Sequence, residues 1–163
     1  MKILGIDPGY DRIGIAVIEG KNLIHSECYI TSPKDEFSIR LKNIGQRINQ
    51  IINEYSPEIL AIESLFITKN QKTAMKVAEA RGVISYEASL KNLSICEYSP
   101  PQIKVAVTGY GSSNKSQIIK MIPLLIKMID KKDGKKILDD EYDAIAVALT
   151  CEAHTHKSYP QIK

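Results

Sequence analysis

The hydrophobic pattern changes its period near residue 36, and no other feature of the sequence constrains the fold as strongly. Before that point, aliphatic and β-branched residues form three short runs, at residues 2–7, 13–18 and 23–30, which are joined by short polar turns. Runs of this length and composition are typical of β-strands. Their short connections predict that the three strands form an antiparallel meander.

After that point, apolar residues recur at helical spacing. They predict amphipathic helices over residues 36–55, 73–90 and 140–152. A further helix should follow the glycine-rich loop near residue 110, and either Ser113 or Asn114 is suited to cap it.

Two more strands are predicted between these helices, at residues 59–62 and 94–98, and Pro100-Pro101 should close the second of them. Pro123 is expected to kink or split the helix in which it falls, and residues 131–136 should form a polar loop. The resulting order is βββ-α-β-α-β-α-α. It predicts an α/β fold with a mixed five-stranded sheet, three antiparallel strands and then parallel ones, flanked by helices.

A chain of 163 residues, with 44% apolar and 25% charged residues, has the length and composition of one ordinary domain. We expect a single domain over residues 1–155 and a flexible tail at residues 156–163. The net charge of +3 permits a nucleic-acid partner without requiring one. The sequence shows no signal peptide, no membrane-spanning run and no paired cysteines, so we expect a cytoplasmic protein with no membrane partner.

Two acidic residues end predicted strands. Asp7 follows the first strand and precedes Pro8-Gly9, and Glu63 ends the fourth strand. Each also has an ordinary interpretation, since Asp-Pro-Gly is a common turn and Glu63 could be solvated. If strands one and four are neighbours, both carboxylates would face one crevice at the strand ends, where ligands of α/β sheets tend to bind.

Two further carboxylates, Asp140 and Asp143, open the last predicted helix. Acidic residues in a first helical turn also stabilise the helix dipole, so this position alone does not indicate a site. Their spacing places both on the face that continues into the apolar residues of the helix. Asp139 and Glu141 should point elsewhere, into solvent. Buried carboxylates need a cation, and oxygen ligands suit Mg²⁺. If folding brings the four carboxylates together, which their spacing alone does not prove, they could hold two metal ions that cleave a phosphodiester of a nucleic acid.

Five segments, in this order, resemble the RuvC family of bacterial Holliday junction resolvases, and the likeness covers the chain from residue 1 to about residue 154. They are Gly5-Ile6-Asp7-Pro8-Gly9, Ile62-Glu63-Ser64-Leu65-Phe66, Ala80-Arg81-Gly82-Val83, the stretch from Ile103-Lys104 through Val107-Thr108-Gly109-Tyr110-Gly111 to Lys115-Ser116-Gln117, and Asp140-Glu141-Tyr142-Asp143-Ala144. The departures are Pro123 and the basic loop at residues 131–136.

The resemblance implies an RNase H-like fold, a homodimer and Mg²⁺-dependent paired nicking of four-way junction DNA, in DNA recombination and repair. It implies two ions per active site, with Mn²⁺ able to replace Mg²⁺, and a partnership with the branch-migration helicase complex of RuvA and RuvB. It assigns catalytic and metal-binding roles to Asp7, Glu63, Asp140 and Asp143.

Several residues could hold DNA. Phe66 could stack on an unpaired base, although a core position is the ordinary interpretation. The lysines could contact phosphates or form a solvated surface. The predicted DNA-binding residues are Phe66, Lys69, Lys72, Lys76, Lys104 and Lys115. The small residues of the second helix could form a dimer interface, although they could equally pack on the protein's own sheet; they are Ala74, Val77, Ala78 and Gly82, with Ile84 and Tyr86 extending the patch.

Three alternatives compete with this interpretation. Actin-like ATPases and sugar kinases share the Asp-Pro-Gly opening, but they need two such lobes. A related RNase H-like nuclease that trims ribosomal RNA precursors also shares the opening, but it is not expected to carry the segments at residues 62–66 and 80–83. A junction-binding module without catalysis is the third, and the presence of all four acidic residues argues against it.

Overall fold

The computed structural model describes residues 1–65, 71–129 and 136–157. Its strands are β1 (Lys2–Asp7), β2 (Arg12–Glu19), β3 (Asn22–Ile30), β4 (Ile59–Glu63) and β5 (Ser94–Tyr98). Its helices are α1 (Phe37–Tyr55), α2 (Gln71–Leu90), α3 (Pro100–Thr108), α4 (Lys115–Leu125) and α5 (Asp139–Lys157). The predicted α/β fold with a mixed sheet flanked by helices is confirmed.

The strands of the described residues form one five-stranded sheet in the order β3-β2-β1-β4-β5. β2 pairs antiparallel with both β1 and β3, whereas β4 pairs parallel with both β1 and β5. In the parallel register Ile6 lies opposite Ile62. The next residues, Asp7 and Glu63, therefore reach the same edge of the sheet side by side.

Small residues face α5 on one side of this sheet. Side chains alternate along a strand, so Gly5 of β1 and Gly14 of β2 lie on the α5 face. A Cβ atom on Gly5 would lie 2.3 Å from the carbonyl oxygen of Ala144, and one on Gly14 would lie 1.9 Å from that of Asp140. Atoms cannot approach so closely, so α5 can pack at this depth only because both positions are glycine.

Larger aliphatic side chains fill the opposite face, beneath α1 and α2. In α1 the residues Ile44, Ile48, Ile51 and Ile52 are buried at helical spacing. They pack against strand residues of the same core, which are Leu4, Ile6, Ile13, Ile15, Val17, Leu60 and Ile62. Burial of each such side chain contributes roughly 1.5–3 kcal/mol. Packing against this core fixes β1 and β4 in place, and with them the acidic residues at their ends.

A helix that the sequence analysis did not predict, α3, follows β5 directly. Pro100 and Pro101 occupy its first positions. Backbone N–H groups there have no acceptor within the helix, so proline loses no hydrogen bond, and its fixed φ angle suits a helix. The hydroxyl of Ser99 accepts a hydrogen bond from the Gln102 backbone N–H at 3.5 Å, and the Gln102 side chain accepts one from the Ser99 N–H at 2.8 Å. The two prolines follow the end of β5, as the sequence predicts, and they also begin the helix that carries Lys104.

Asn114 caps α4, one of the two alternatives that the sequence allowed. Its side chain accepts a hydrogen bond from the Gln117 backbone N–H at 3.0 Å, and the Gln117 side chain accepts one from the Asn114 N–H at 2.9 Å. Pro123 lies inside this helix, which ends at Leu125. The helix therefore is not split at the proline, which lacks only its own N–H bond to the carbonyl of Ile119, and the helix ends two residues later.

One face of α2 packs on the protein's own core and the other is exposed. Its buried residues are Ala74, Ala80, Ile84 and Ala88. The expectation that Ile84 extends a dimer interface is wrong, because this residue is 0% exposed within the core. We call the exposed residues on the other side the α2 stripe; they are Met75, Ala78, Gly82 and Tyr86.

The last helix is longer than predicted, because α5 begins at Asp139 and reaches Lys157. The predicted polar loop, apart from its last residue, and the final residues 158–163 lie outside the described residues. Among the helices of the described residues, none is long and apolar enough to cross a membrane.

Candidate active site

Two carboxylates at the ends of adjacent parallel strands face the same side of the sheet. Asp7 ends β1 and Glu63 ends β4. Because side chains alternate along a strand, Asp7 shares the face of Gly5 and Glu63 shares the face of Ala61, which is the face that α5 covers. Both acidic residues are half-buried. The strand register therefore places the two carboxylates close to the start of α5.

The first turn of α5 adds a third carboxylate to this edge of the sheet. Among the described residues, Asp7, Glu63 and Asp143 line one cavity of about 400 Å³, together with Lys104 and Lys115. We call this cavity the acidic crevice. Its other lining residues are Pro100, Ile103, Ser113, Asn114, Ile118 and Ala146. Elements distant in the sequence thus supply both its acidic and its basic groups.

Asp140 lies at the margin of this arrangement and has a different partner. The guanidinium of Arg12 donates two hydrogen bonds to Oδ2 of Asp140, from Nε at 3.1 Å and from Nη2 at 2.5 Å. Asp140 is not among the residues that line the acidic crevice, although its charge acts on Asp7. Nothing in the sequence singles out Arg12, because a basic residue at the start of a strand is usually solvated.

Burial and mutual repulsion both disfavour ionised carboxylates in the acidic crevice. Burial, followed by the charges of Asp143, Glu63 and Asp140, raises the pKa of Asp7 from 3.8 to about 7. Burial and then the charge of Asp143 also raise the pKa of Glu63. A cation beside such carboxyl groups stabilises their ionised form.

Lys115, the first residue of α4, already supplies one positive charge. Its Nζ donates a hydrogen bond to Oδ2 of Asp143 at 2.7 Å and lies 3.7 Å from Oδ2 of Asp139. Burial, together with the charges of Asp140 and Asp139, raises the pKa of Asp143, and the hydrogen bond and charge of Lys115 only partly offset this rise. One ammonium group therefore does not compensate the acidic cluster.

The donor set of the acidic crevice fits a hard divalent cation. All its acidic donors are carboxylate oxygens, the ligands that Mg²⁺ prefers, and Mg²⁺ usually keeps several water molecules and takes few carboxylates. Within the described part of the chain, no three acidic, histidine or cysteine side chains are yet grouped tightly enough to hold a metal ion. The fit therefore rests on the donor chemistry and on the uncompensated negative charge.

The loop between α3 and α4 forms one wall of the acidic crevice. Gly109 adopts a left-handed conformation with a φ angle of 82° and ends α3. The hydroxyl of Thr108 lies 2.6 Å from that of Ser113 and accepts a hydrogen bond from the backbone N–H of Tyr110 at 3.2 Å. These bonds hold the residues before α4 in place, so the N-terminus of that helix begins at the crevice wall.

The predicted DNA-binding lysines of α2 differ in how exposed their side chains are. Lys72 is exposed. Lys76 is half-buried, with Nζ 5.2 Å from the ring centre of Tyr10 and 5.4 Å from that of Phe37. Such cation–π contacts tie the Lys76 side chain to the hairpin that follows β1. Two other predicted residues, Phe66 and Lys69, lie outside the described residues.

The prediction that Glu141 is solvated is wrong. Its side chain is 1% exposed, and its carboxylate accepts hydrogen bonds from the hydroxyl of Ser26 at 2.7 Å and from the backbone N–H of Leu138 at 3.0 Å. Asp139, by contrast, is exposed, as predicted. Glu141 thus ties the first turn of α5 to β3 and supports the acidic crevice without lining it.

The raised pKa of Asp7 predicts how the stability of the metal-free protein depends on pH. In the unfolded chain Asp7 ionises near pH 4, whereas in the folded protein it stays protonated up to about pH 7. The folded state therefore binds more protons in this window, and its stability falls as the pH rises through it. In EDTA, Asp7→Asn should stabilise the protein by about 2–3 kcal/mol more at pH 8 than at pH 5.

Chemical denaturation of the wild type and the variant at the two pH values would measure this difference. Asp11→Asn is the matched control, because Asp11 lies in the same hairpin but pairs with Arg40. That variant should show no extra stabilisation at pH 8. Equal effects of Asp7→Asn at both pH values would contradict the prediction.

Comparison with known proteins agrees with the predicted resemblance. The model of the family described as crossover junction endodeoxyribonuclease RuvC matches residues 3–151. The protein of that name from Petrotoga mobilis is 44% identical, with 98% of this chain and 97% of the relative covered. The one from Brachyspira hyodysenteriae is 40% identical over the full length of both chains.

A solved structure agrees as well. The structure of T. thermophilus RuvC in complex with Holliday junction substrate matches with a TM-score of 0.87 and 28% identity, and 96% of each chain is covered. The sheet order described above is therefore that of the RNase H-like fold, as the resemblance implied. Since the family model matches most of the chain and the sequence relatives match nearly all of it, this chain belongs to the RuvC family of crossover junction endodeoxyribonucleases.

Proposed function

We propose that this protein is a Mg²⁺-dependent endodeoxyribonuclease that resolves four-way DNA junctions by paired symmetric nicks, in homologous recombination and DNA repair. The observation that carries the proposal is the acidic crevice, in which Asp7, Glu63 and Asp143 meet beside Lys104 and Lys115. The names of the relatives support the substrate, and so does the T. thermophilus protein in complex with a Holliday junction. Relatives of this kind also favour the cytoplasm, where bacterial DNA lies.

The proposed chemistry divides between the cation and the protein. Two bound divalent ions, Mg²⁺ or Mn²⁺ in its place, would activate a water molecule and stabilise the oxygen that leaves the phosphodiester. The carboxylate oxygens of four residues would hold these ions: Asp7, Glu63, Asp140 and Asp143. Because the acidic crevice is partly buried, its side chains act in a medium of lower dielectric constant than water. Lys115 lies against Asp143 and lines the same crevice, so its ammonium group would lie close to the scissile phosphate of bound DNA.

A direct test uses labelled four-way DNA, duplex DNA and structured RNA, each incubated with Mg²⁺ or with EDTA. The proposal expects Mg²⁺-dependent nicks in the four-way DNA at matching positions on opposed strands. Cleavage of RNA in preference to DNA would favour a ribosomal RNA nuclease. Binding of the junction without any cleavage would favour a non-catalytic binding module.

Lys104 and Lys115 are proposed to contact phosphates near the cleaved bond, since both line the acidic crevice. Changing either to alanine should weaken junction binding and lower the slope of log affinity against log salt by about 0.9 for each lost contact. Binding curves at several salt concentrations measure this slope. Lys91 is an exposed control at the opposite edge of the sheet, between α2 and β5, and Lys91→Ala should leave the slope unchanged. Unchanged slopes in both crevice variants would remove these lysines from the interface.

Lys69, Lys72 and Lys76 are proposed to follow the DNA backbone outside the acidic crevice, with Phe66 stacking on an unpaired base. A smaller cavity of about 270 Å³ supports a path on this side. Asp7 and Glu63 line it together with Thr73 and Val77 of α2. A strand that passes along α2 could therefore reach the carboxylates from the side opposite Lys104 and Lys115.

Two symmetric nicks call for two active sites in a fixed relation, which a two-fold homodimer supplies. The α2 stripe is the proposed interface, because Met75 is 65% and Tyr86 is 61% exposed, and because Ala78 and Gly82 between them would let two helices approach closely. The helicase complex of RuvA and RuvB, which the family resemblance implies, is a further proposed partner.

At micromolar concentration, sedimentation should give about twice the chain mass of 18.2 kDa. Ala78→Arg should shift the protein towards the monomer, because it places a charge in the middle of the α2 stripe. Leu124→Arg is the matched control, since Leu124 is 77% exposed on α4, outside the stripe, and this variant should remain dimeric. A wild-type protein that stays monomeric even on junction DNA would exclude the dimer.

A further inference from the structure

Arg12 and Asp140 form an ion pair at the margin of the acidic crevice. Both hydrogen bonds from the guanidinium, at 3.1 and 2.5 Å, end on the same oxygen, Oδ2 of Asp140. The Arg12 side chain is 48% exposed and that of Asp140 is 23% exposed. The two residues are 128 positions apart in the sequence, so the contact arises only from the packing of α5 on β2.

The backbone around this pair is closely packed. The carbonyl oxygen of Asp140 sits over Gly14, and the carbonyl oxygen of Arg12 lies against Gly9 of the preceding turn. Cys28 lies opposite Gly14 in the β2–β3 pairing. Asp140 is therefore held on the β2–β3 side, whereas Asp7, Glu63 and Asp143 line the acidic crevice.

Asp140 and Asp143, near the start of α5, are thus each paired with a basic residue. Lys115 contacts Asp143 at 2.7 Å, and Arg12 contacts Asp140. Without such cations, the first turn of α5 would place two carboxylates next to those of Asp7 and Glu63. The difference between the two pairs is their location, because Lys115 lines the acidic crevice and Arg12 does not.

We propose that Arg12 is a positioning residue that holds Asp140 away from the acidic crevice in the metal-free protein, so that divalent-cation binding requires Asp140 to leave Arg12. This inference rests on the proposed function in one respect, namely that Asp140 is a metal ligand. The Arg12–Asp140 pair competes with the metal ion for the carboxylate. It keeps the site ordered before the cation binds and lowers the affinity for the cation.

The consequence is an effect on metal affinity that is opposite to that of an ordinary supporting residue. Replacing a residue that orients a metal ligand typically weakens metal binding by about 10–100-fold. Removal of Arg12 should instead tighten binding, by about ten-fold, since one charge-assisted contact no longer has to be broken. The sign of the change therefore distinguishes the two roles.

Titration calorimetry with Mn²⁺, using the full-length protein without DNA, would measure this change. Arg12→Gln should lower the dissociation constant about ten-fold, and Arg12→Lys, which keeps the charge but loses the paired donors, should give a smaller decrease. Arg47→Gln is the matched control, because Arg47 holds Glu27 with the same Nε and Nη2 donors, at 2.6 and 2.7 Å, but Glu27 lies on β3 and does not line the acidic crevice. It should leave the dissociation constant unchanged.

A second arm of the experiment tests the link to Asp140. In an Asp140→Asn background, Arg12→Gln should no longer change Mn²⁺ affinity, because there is no ionised carboxylate to release. Weaker or unchanged Mn²⁺ binding by both Arg12 variants in the wild-type background, with circular dichroism showing that they are folded, would overturn the proposal and leave the nuclease function standing. A wild-type protein that neither binds Mn²⁺ nor cleaves junctions would overturn the proposed function, and with it the role of Arg12.

Discussion

Asp7→Asn is expected to reduce junction cleavage about a thousand-fold or more while junction binding stays intact or tightens. Asn has nearly the same shape as Asp but no charge, so the variant removes an oxygen ligand without opening a cavity. Asp7 lines the acidic crevice, and the charges of Asp143, Glu63 and Asp140 all act on it. Less negative charge beside a phosphate should also reduce the repulsion of DNA.

Unfolding would not explain such a loss, because the same substitution is predicted to stabilise the metal-free protein above neutral pH. Single-turnover nicking of a labelled junction, together with a binding assay in Ca²⁺ or EDTA, separates catalysis from binding. Asp11→Asn is again the matched control, since Asp11 lies in the same hairpin, pairs with Arg40 and does not line the acidic crevice. It should cleave at nearly the wild-type rate. Nicking by Asp7→Asn close to that rate would exclude Asp7 as a ligand.

Local patterns were sufficient to predict most of the elements on which the proposed site depends. Apolar runs that end in Asp7 and Glu63 indicated two strands. That these strands are neighbours was left open by the sequence and is shown by the parallel pairing of β1 with β4. The helical repeat likewise indicated that an acidic first turn of α5 precedes a buried face. These features are encoded by residues close together in the sequence, through the alternation of strands and the repeat of helices.

Contacts between distant residues could not be predicted in this way. Glu141 is buried because it meets Ser26, 115 positions away, and nothing near Glu141 in the sequence indicates that partner. The pairing of Arg12 with Asp140, 128 positions away, likewise has no signal in the sequence near either residue. The helix α3 is a different case, because a local signal was present: Ser99 and Gln102 form a capping box around Pro100 and Pro101. Pro100 and Pro101 follow the end of β5 as expected, but proline is also favoured at the start of a helix, and here the same residues begin α3.

Gly14→Ala is expected to damage both the fold and the site, although Gly14 carries no side chain that could act in catalysis. A Cβ atom at this position would lie 1.9 Å from the carbonyl oxygen of Asp140 and 2.7 Å from its carbonyl carbon. These are backbone atoms of α5, so no side-chain rotation relieves the clash and the first turn of the helix must move. Overpacking of this kind costs about 1–3 kcal/mol, and sometimes more.

The shift should also reduce cleavage, because Asp140 and Asp143 move with the helix. A displacement of about 1 Å at reacting groups can cost on the order of 100-fold in rate, so we expect a loss of that size in Gly14→Ala at a temperature where the variant is still folded. Gly111→Ala is the control for the loss of a glycine, because a Cβ atom there would come no closer than 3.6 Å to Val105, and its stability should be close to that of the wild type. Thermal melts and single-turnover nicking of both variants give the comparison. A Gly14→Ala protein with wild-type stability and activity would mean that α5 does not pack on β2 as closely as described, and the positions of both α5 carboxylates would then have to be reconsidered.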